Sequence, residues 1–199
     1  SRNVPAILIT RDLGLDTVEA TLRRSGLPLP IGALSAAGLT AAVGGVEVRA
    51  IDLAEAYATL ARGGIHRSVR LLRGAPSPTR RVFSESTCAA IEACLAGPES
   101  DVSAAMPFVA AKTGTSSGQR DAVAAGWNRR WTAVVWVGRF DGGRNPSLIG
   151  ATAALPVLRE MLLDPAFATS RSPRDFEPWD VVHAVGRVGP PRVPAIIEP

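Results

Sequence analysis

The stretch Val109-Ala-Ala-Lys-Thr-Gly-Thr-Ser-Ser-Gly-Gln-Arg-Asp121 decides the fold prediction, and it contains the only lysine of a chain whose other cationic side chains are arginines. Three apolar residues precede Lys112, and a run of small hydroxyl residues and glycines follows it. This pattern predicts a buried strand that emerges at a surface rich in hydrogen-bonding groups. We expect such a strand end to line a functional site.

The residue types at this strand end indicate what it could bind. Gly114 has no Cβ, so a second extended backbone could lie close to the strand and be held by main-chain hydrogen bonds. We expect the hydroxyls of Thr113 and Thr115 and the ammonium of Lys112 to face an anionic group of the ligand. A peptide that ends in a carboxylate fits this description.

The same residues carry a family resemblance. Lys-Thr-Gly is one of three short motifs of the penicillin-binding proteins and serine β-lactamases, the others being Ser-x-x-Lys and Ser-x-Asn. The longer string Lys112–Ala122, followed by Ala125-Gly126 and Trp131–Arg139, resembles the transpeptidase domain of bifunctional class A penicillin-binding proteins, most closely the 1C type. The segments Gly44–Val48 and Leu53–Gly64 look like the same family, so the resemblance spans most of residues 1–163.

The resemblance also assigns roles to residues. Ser1-Arg-Asn3 looks like the Ser-x-Asn motif, in which the Ser1 hydroxyl relays protons and the Asn3 amide holds the substrate peptide. Lys112 stabilises the environment of the catalytic serine and the substrate carboxylate, which Thr113 and Thr115 also contact through their hydroxyls. The N–H of Thr115 is implied as one donor of an oxyanion hole.

Three further residues complete the expected substrate-binding set: Gly114, Ser116 and Asp121. For Asp121 we expect the carboxylate to accept hydrogen bonds from backbone N–H groups, which would order the loop after the strand. A structural role and a catalytic role both stay open for this residue. The chain departs from the family at Ser117 and Val123, where an aromatic residue and a tryptophan are common, so the acceptor side of the site is expected to be more open.

The fold class predicted from the whole chain is α+β, with an antiparallel sheet packed against helices. The strands are expected at 109–115, 122–127 and 131–139, with Trp127 and Trp131 paired across the turn between the last two. Helices are expected at 16–26, 51–61, 84–95 and 149–163. Asp16 and Glu19 predict a capping box for the first of these. Residues 1–163 are assigned to the transpeptidase domain, and the proline-rich segment 164–199 to a tail or linker toward a C-terminal domain.

Composition excludes several function classes. The net charge of +4 comes from arginines scattered along the chain without interleaved aromatics, which argues against nucleic-acid binding. We expect no cofactor and no metal, because His66 and His183 have no partner at metal-ligand spacing and are predicted to be surface or loop residues. Cys88 and Cys94, six positions apart on a helix, are predicted to be unbonded, buried, small apolar side chains.

The sequence also indicates what lies outside it. A Ser-x-x-Lys motif needs a serine three residues before a lysine, but position 109, before Lys112, is valine. We therefore expect the nucleophilic serine in the remainder of the same polypeptide. The resemblance implies that this remainder also contains a glycosyltransferase domain, the N-terminal half of the transpeptidase domain and a membrane anchor. The resemblance implies a location on the periplasmic side of the bacterial inner membrane. No apolar run here approaches the ~18 residues of a membrane span, so the anchor is expected outside these residues.

The function that the resemblance implies is peptidoglycan cross-linking by a DD-transpeptidase. The substrate would be a stem peptide ending in D-Ala-D-Ala, and β-lactams would bind the same site. Two alternatives stay open: a serine β-lactamase or carboxypeptidase, in which water takes the acyl group, and a peptide-binding module without a nucleophile. The Gly44-Gly-Val-Glu-Val48 segment argues against the first alternative.

Overall fold

A computed structural model describes residues 2–70, 77–96 and 108–164, together with the backbone of 183–187 and 195–196. In chain order the elements are α1 (Asn3–Leu13), α2 (Leu15–Ser25), α3 (Ala33–Ala37), a 3-10 helix (Gly38–Val43), α4 (Ala50–Ala61), β1 (Ile65–Arg67), β2 (Thr79–Arg81), α5 (Glu85–Ala96), β3 (Ala110–Thr115), β4 (Asp121–Trp127), β5 (Thr132–Gly138), a π-helical turn (Gly150–Ala154), α6 (Leu155–Leu163), β6 (His183–Arg187) and β7 (Ala195–Ile196). A helical region precedes the main sheet, and the α+β prediction is confirmed.

The main sheet has the strand order β3-β4-β5-β6-β7, which leaves β3 at one edge. Strands β3, β4 and β5 pair antiparallel, as predicted, and their observed ends lie within one residue of the predicted ends. Strand β6 runs parallel to β5, and β7 pairs antiparallel with β6.

Helices cover both faces of β4 and β5. On one face, which we call the α4 face, Ala54 packs against Ala125 and Val134. On the opposite α6 face, Leu158 and Leu162 pack with residues of the strands that include Ala124 and Val135. Because both faces are covered, these strands are apolar at nearly every position, and the sequence shows continuous apolar runs in place of an alternating pattern.

Two of the predicted helices are confirmed, and their observed ends lie within one residue of the predicted ends. Helix α4 begins one residue before the predicted start at Ile51 and ends at Ala61 as predicted. Helix α5 follows Ser84, whose hydroxyl oxygen accepts a hydrogen bond from the N–H of Thr87 at 3.1 Å. This contact satisfies one of the N–H groups that a helix start leaves without an intrahelical partner.

The capping box predicted for the first helix is wrong. Helix α2 starts at Leu15, so its N-cap is Gly14, and no side chain caps it. The buried carboxylate of Glu19 instead accepts the N–H groups of Gly32 at 2.9 Å and Leu34 at 3.0 Å, at the start of α3. These N–H groups, that of Leu34 above all, hold the pKa of the Glu19 carboxyl below its ordinary value.

The tryptophan pair predicted across the β4–β5 turn is also wrong. Trp127 lies opposite Thr132 and contacts the ring of Tyr57 edge-on on the α4 face, with ring centroids 5.9 Å apart. Trp131 packs against the core cluster of the α6 face. The two rings separate because Trp131 belongs to the turn, where its carbonyl accepts the N–H of Asn128 at 2.9 Å.

Two predictions about individual side chains need correction. His66 is only 3% exposed on β1, and its Nε2 lies 2.8 Å from Oε1 of Glu55, so it is neither a surface nor a loop residue. The cause is the packing of β1 against α4, which carries Glu55. Cys88 and Cys94 are unbonded as predicted, but only Cys88 is buried.

Beyond Asp164, the structure describes two short strands where the sequence analysis expects none. His183–Arg187 lies between Pro178 and Pro190, and Ala195–Ile196 follows Pro194. Proline cannot donate to a ladder, and both strands lie in proline-free runs. The rest of 165–199 lies outside the described residues, and the division of the chain at residue 163 stays a prediction.

Candidate functional site

The Lys-Thr-Gly motif lies on β3, the edge strand of the sheet. Burial decreases along this strand from Ala110, which is fully buried, to Gly114 and Thr115, which are exposed. The strand therefore emerges from the core at the motif, as the sequence predicts. None of the described strands pairs with its outer edge, so the backbone groups there are available to a ligand that pairs as a further strand.

Lys112 lies opposite Ala125 of β4, on the α4 face of the sheet. Its ammonium donates a hydrogen bond to the carbonyl of Thr113 at 2.5 Å, which uses one of three N–H donors. Within the described ranges no carboxylate forms an ion pair with Lys112. The positive charge at this strand is therefore available to an anionic ligand.

The two threonines lie on the other face. Thr113 and Thr115 are opposite Ala124 and Ala122, which belong to the core cluster of the α6 face. The expectation that Lys112 and both hydroxyls face one group together is therefore not met along the strand, because successive side chains of a strand point to opposite faces. Groups from the two faces can act on one ligand only across the free edge of β3.

Gly114 leaves space beside the strand. A Cβ added to Gly114 would have the Cβ of Val123, 4.0 Å away, as its nearest neighbour. The position is exposed. A ligand backbone can approach this residue as closely as the sequence analysis expects.

The turn between β3 and β4 is held by Ser116. Its hydroxyl oxygen accepts the N–H of Asp121 at 2.8 Å and that of Arg120 at 3.2 Å, and its own N–H donates to the Asp121 carbonyl at 2.9 Å. Gly118 and Gln119 adopt left-handed backbone conformations within this turn, with φ of 75° and 55°. Ser116, predicted as a substrate contact, thus shapes the turn next to the motif, as serine hydroxyls often do.

The carboxylate of Asp121 has a different partner from the expected one. Its Oδ1 accepts a hydrogen bond from the indole N–H of Trp136 at 2.9 Å, and it was expected to accept backbone N–H groups. Because Trp136 lies on β5, this hydrogen bond connects the end of the turn to the next strand of the sheet. Asp121 therefore has a structural role in the described residues.

A segment that the sequence analysis missed supports this turn. Arg144 donates from Nε to the carbonyl of Gly118 at 3.1 Å, and the N–H of Asn145 donates to the carbonyl of Gln119 at 3.0 Å. The Gln119 amide in turn donates to the carbonyl of Pro146 at 3.3 Å. The only signal in the sequence is Gly142-Gly143, which breaks the strand pattern without showing where the following residues pack.

Among the described residues, no hydrogen bond joins Asn3 to the motif on β3. Ser1 lies outside the described residues, and Asn3 is exposed at the first position of α1. Helix α1 packs mainly against the 3-10 helix and α2, whereas β3 packs against α5, β4 and the π-helical turn. The catalytic and binding roles of Ser1 and Asn3 stay predictions.

The described part of the chain lacks two other features, a group of metal ligands and a membrane-spanning helix. No three His, Cys, Asp or Glu side chains in the described part of the chain are grouped so that they could hold a metal ion. None of the helices described is both long enough and apolar enough to cross a membrane.

Comparisons with known proteins agree with the sequence resemblance. A family model described as the penicillin binding protein transpeptidase domain matches residues 1–153. Penicillin-binding protein 1C of Escherichia coli is 32% identical over 189 residues, which are 93% of this chain and 24% of that protein. Penicillin-binding protein 1B of the same organism is 27% identical over 81% of this chain and 21% of that protein.

A solved structure shares the fold. Penicillin-binding protein A from M. tuberculosis, solved as an imipenem acyl-enzyme complex, superposes with a TM-score of 0.60 at 20% identity, over 78% of this chain and 44% of that one. The chain spans less than a quarter of the length of each E. coli relative. The family match covers more than half of the chain, and with the Lys-Thr-Gly strand in place we conclude that the chain belongs to the penicillin-binding protein transpeptidase domain family.

Proposed function

We propose that this chain forms the Lys-Thr-Gly side of the active site of a peptidoglycan DD-transpeptidase. The enzyme cross-links stem peptides through an acyl-enzyme whose serine lies outside these 199 residues. The observation that carries the proposal is the exposed edge of β3, where Lys112 has no described acidic partner and Gly114 leaves its backbone open. An edge of this kind can pair with an extended peptide and hold a terminal carboxylate.

Binding of the substrate follows from this edge. The stem peptide lies along β3 as an added strand, and its main-chain groups pair with those of the motif. Lys112 supplies positive charge from the α4 face, and Thr115 supplies a hydroxyl from the α6 face. Because the two side chains diverge from the strand, they act together only on a group at its free edge, which is where the C-terminal carboxylate of the peptide lies.

The chemistry is acyl transfer. The serine oxygen attacks the carbonyl between the two terminal D-alanines, the C–N bond breaks, and the terminal D-alanine leaves with a proton on its nitrogen. An amine on a neighbouring stem peptide then attacks the ester and takes the acyl group. The N–H of Thr115 is one donor to the oxyanion that forms in each step, where such a donor contributes about 3–4 kcal/mol. Ser1 relays protons, and Asn3 binds the substrate peptide.

β-Lactams are expected to acylate the same serine. Their ring amide takes the place of the scissile bond and their carboxylate that of the peptide terminus, so they use the same contacts on β3. The remainder of the polypeptide supplies the serine, the glycosyltransferase domain and an anchor that holds the enzyme on the periplasmic side of the bacterial inner membrane.

The test is labelling of the full-length protein with a fluorescent penicillin. We expect a stable covalent adduct that disappears when the serine of the upstream Ser-x-x-Lys motif is changed to alanine. The 199 residues expressed alone should not be labelled, because they lack that serine. Rapid turnover of the penicillin would instead identify a β-lactamase or carboxypeptidase, and a full-length protein with no Ser-x-x-Lys motif and no label would be a peptide-binding module.

A further inference from the structure

The π-helical turn that precedes α6 contacts the motif through one glycine. The N–H of Gly150 donates a hydrogen bond to Oγ1 of Thr115 at 3.0 Å. A Cβ added to Gly150 would lie 2.4 Å from the carbonyl oxygen of Gly114, 3.0 Å from the nitrogen of Gly114 and 2.9 Å from the carbonyl oxygen of Val123. These distances leave no room for a side chain, because the neighbours are backbone atoms of β3 and β4.

The hydrogen bond from Gly150 determines in which direction the Thr115 hydroxyl can donate its proton. A hydroxyl has one proton to donate and two lone pairs that accept, whereas a backbone N–H can only donate. Oγ1 of Thr115 must therefore be the acceptor from Gly150, and its proton is directed to a different acceptor. Since Thr115 is exposed at the free edge of β3, that acceptor can be an anionic ligand.

The local helix geometry provides the N–H group. Gly150 is the first residue of the π-helical turn, and Ile149 before it is extended, with φ of −114° and ψ of 126°. The first N–H groups of a helix have no intrahelical acceptor, so the N–H of Gly150 is available to Thr115. Single π-helical turns inside longer helices are frequent at functional sites.

We propose that Gly150 is the positioning residue for Thr115, fixing its hydroxyl as a donor to the ligand carboxylate and seating the π-helical turn against the Lys-Thr-Gly strand. The inference rests on the proposed function, because it takes the carboxylate of the stem peptide or β-lactam as the acceptor. Gly150 touches no ligand itself and acts through Thr115.

The test uses the full-length protein and compares Gly150→Ala with Gly143→Ala. The added methyl of Gly150→Ala pushes against the backbone of two strands, whereas the nearest neighbours of the methyl of Gly143→Ala are side-chain atoms of Arg139 and Asp141. Because misplacing a binding group by ~1 Å can cost about a hundredfold in rate, we expect Gly150→Ala to slow acylation by a fluorescent penicillin by tenfold or more. Gly143→Ala should be acylated at the wild-type rate.

A second pair of variants separates positioning from general destabilisation. Thr115→Val removes the hydroxyl, so adding Gly150→Ala to Thr115→Val should slow acylation by less than threefold if Gly150 acts through that hydroxyl. Thr115→Ser keeps the hydroxyl and should retain the sensitivity to Gly150→Ala. Equal fold-losses from Gly150→Ala with Thr115 and with Val at that position would overturn the role of Gly150 in positioning the hydroxyl, and wild-type acylation of Gly150→Ala would overturn the whole proposal.

Amide hydrogen exchange of residues 110–121 in the same proteins gives a readout that does not depend on catalysis. We expect faster exchange in this segment for Gly150→Ala and unchanged exchange for Gly143→Ala. If the wild-type protein is not acylated, the proposed function fails, and the exchange result alone then decides whether Gly150 seats the turn against β3. Unchanged exchange in Gly150→Ala would overturn that role.

Discussion

The two faces of the β3–β5 sheet are built differently. On the α4 face, Trp127 contacts Tyr57 edge-on and donates its indole N–H to Glu92 of α5 at 3.2 Å. On the α6 face, the helix contributes aliphatic side chains, among which Leu158 and Leu162 are almost completely buried. The α4 face thus has an edge-on aromatic contact and an indole hydrogen bond, whereas α6 covers the other face mainly through aliphatic side chains.

This difference extends to the candidate site. Lys112 belongs to the α4 face, and Thr113 and Thr115 belong to the α6 face. A strand cannot present neighbouring residues to one side, so a ligand contacts both kinds of group only at the edge. The site therefore depends on how β3 is held between two separate packing layers.

The largest expected effect comes from truncating the core of either face. Trp127→Ala should cost about 3–5 kcal/mol and Leu158→Ala about 2–5 kcal/mol of stability, since both side chains are 2% exposed or less. Amide hydrogen exchange of β4 in the full-length protein measures the local loss. Leu163→Ala, at a position 39% exposed, is the control and should change exchange little. A small effect of Leu158→Ala beside a large one of Trp127→Ala would show that the α6 face does not hold the strand.

A smaller effect is expected at the turn that joins β4 to β5. Asn128 is buried, its side-chain oxygen accepts two backbone N–H groups, and its Nδ2 donates to the carbonyl of Leu162 at 2.8 Å. Asn128→Ala leaves buried backbone groups without partners and should cost about 1–3 kcal/mol, because such groups carry a desolvation penalty. Thermal unfolding of the full-length protein measures this loss of stability. The exposed Asn145→Ala is the matched control, and equal shifts for the two variants would contradict this account.

The smallest expected effect is confined to alkaline pH. Burial raises the pKa of Tyr57, on the α4 face, to about 12 from 10.0. The folded state then holds this proton more tightly than the unfolded state, so the contribution of Tyr57 is complete below pH 10.0 and is lost as pH rises toward 12. Tyr57→Phe should remove that part of the alkaline loss of stability, measured by urea unfolding at increasing pH. An identical alkaline decline in both proteins would show that Tyr57 is not the group responsible.

The motif and the strands could be predicted because they depend on local pattern. A continuous apolar run before Lys112, followed by small polar residues, specifies a strand that leaves the core. The partners of individual side chains could not be predicted in this way. Glu19 is bound by N–H groups at the start of α3, and Ser116 by N–H groups of its own turn.

The other contacts that could not be predicted from the sequence have the same physical origin. His66 is buried because β1 packs on α4. The hydrophobic periodicity of a segment does not show which other segment it packs against. The N–H of Gly150 reaches Thr115 across 35 residues of sequence. The apolar runs of β4 and β5 are covered on both faces, so their pattern could not show which residues face α4 and which face α6.

The acylation rate of the full-length Lys112→Ala protein with a fluorescent penicillin shows whether the Lys-Thr-Gly strand belongs to the active site. Loss of the one lysine at the edge of β3 removes a charge-assisted contact that contributes about 2–4 kcal/mol, so we expect labelling to slow by about 30- to 1,000-fold. Lys112→Arg keeps the charge with a different geometry and should lose less. Acylation of Lys112→Ala at the wild-type rate would contradict the assignment of this strand to the active site.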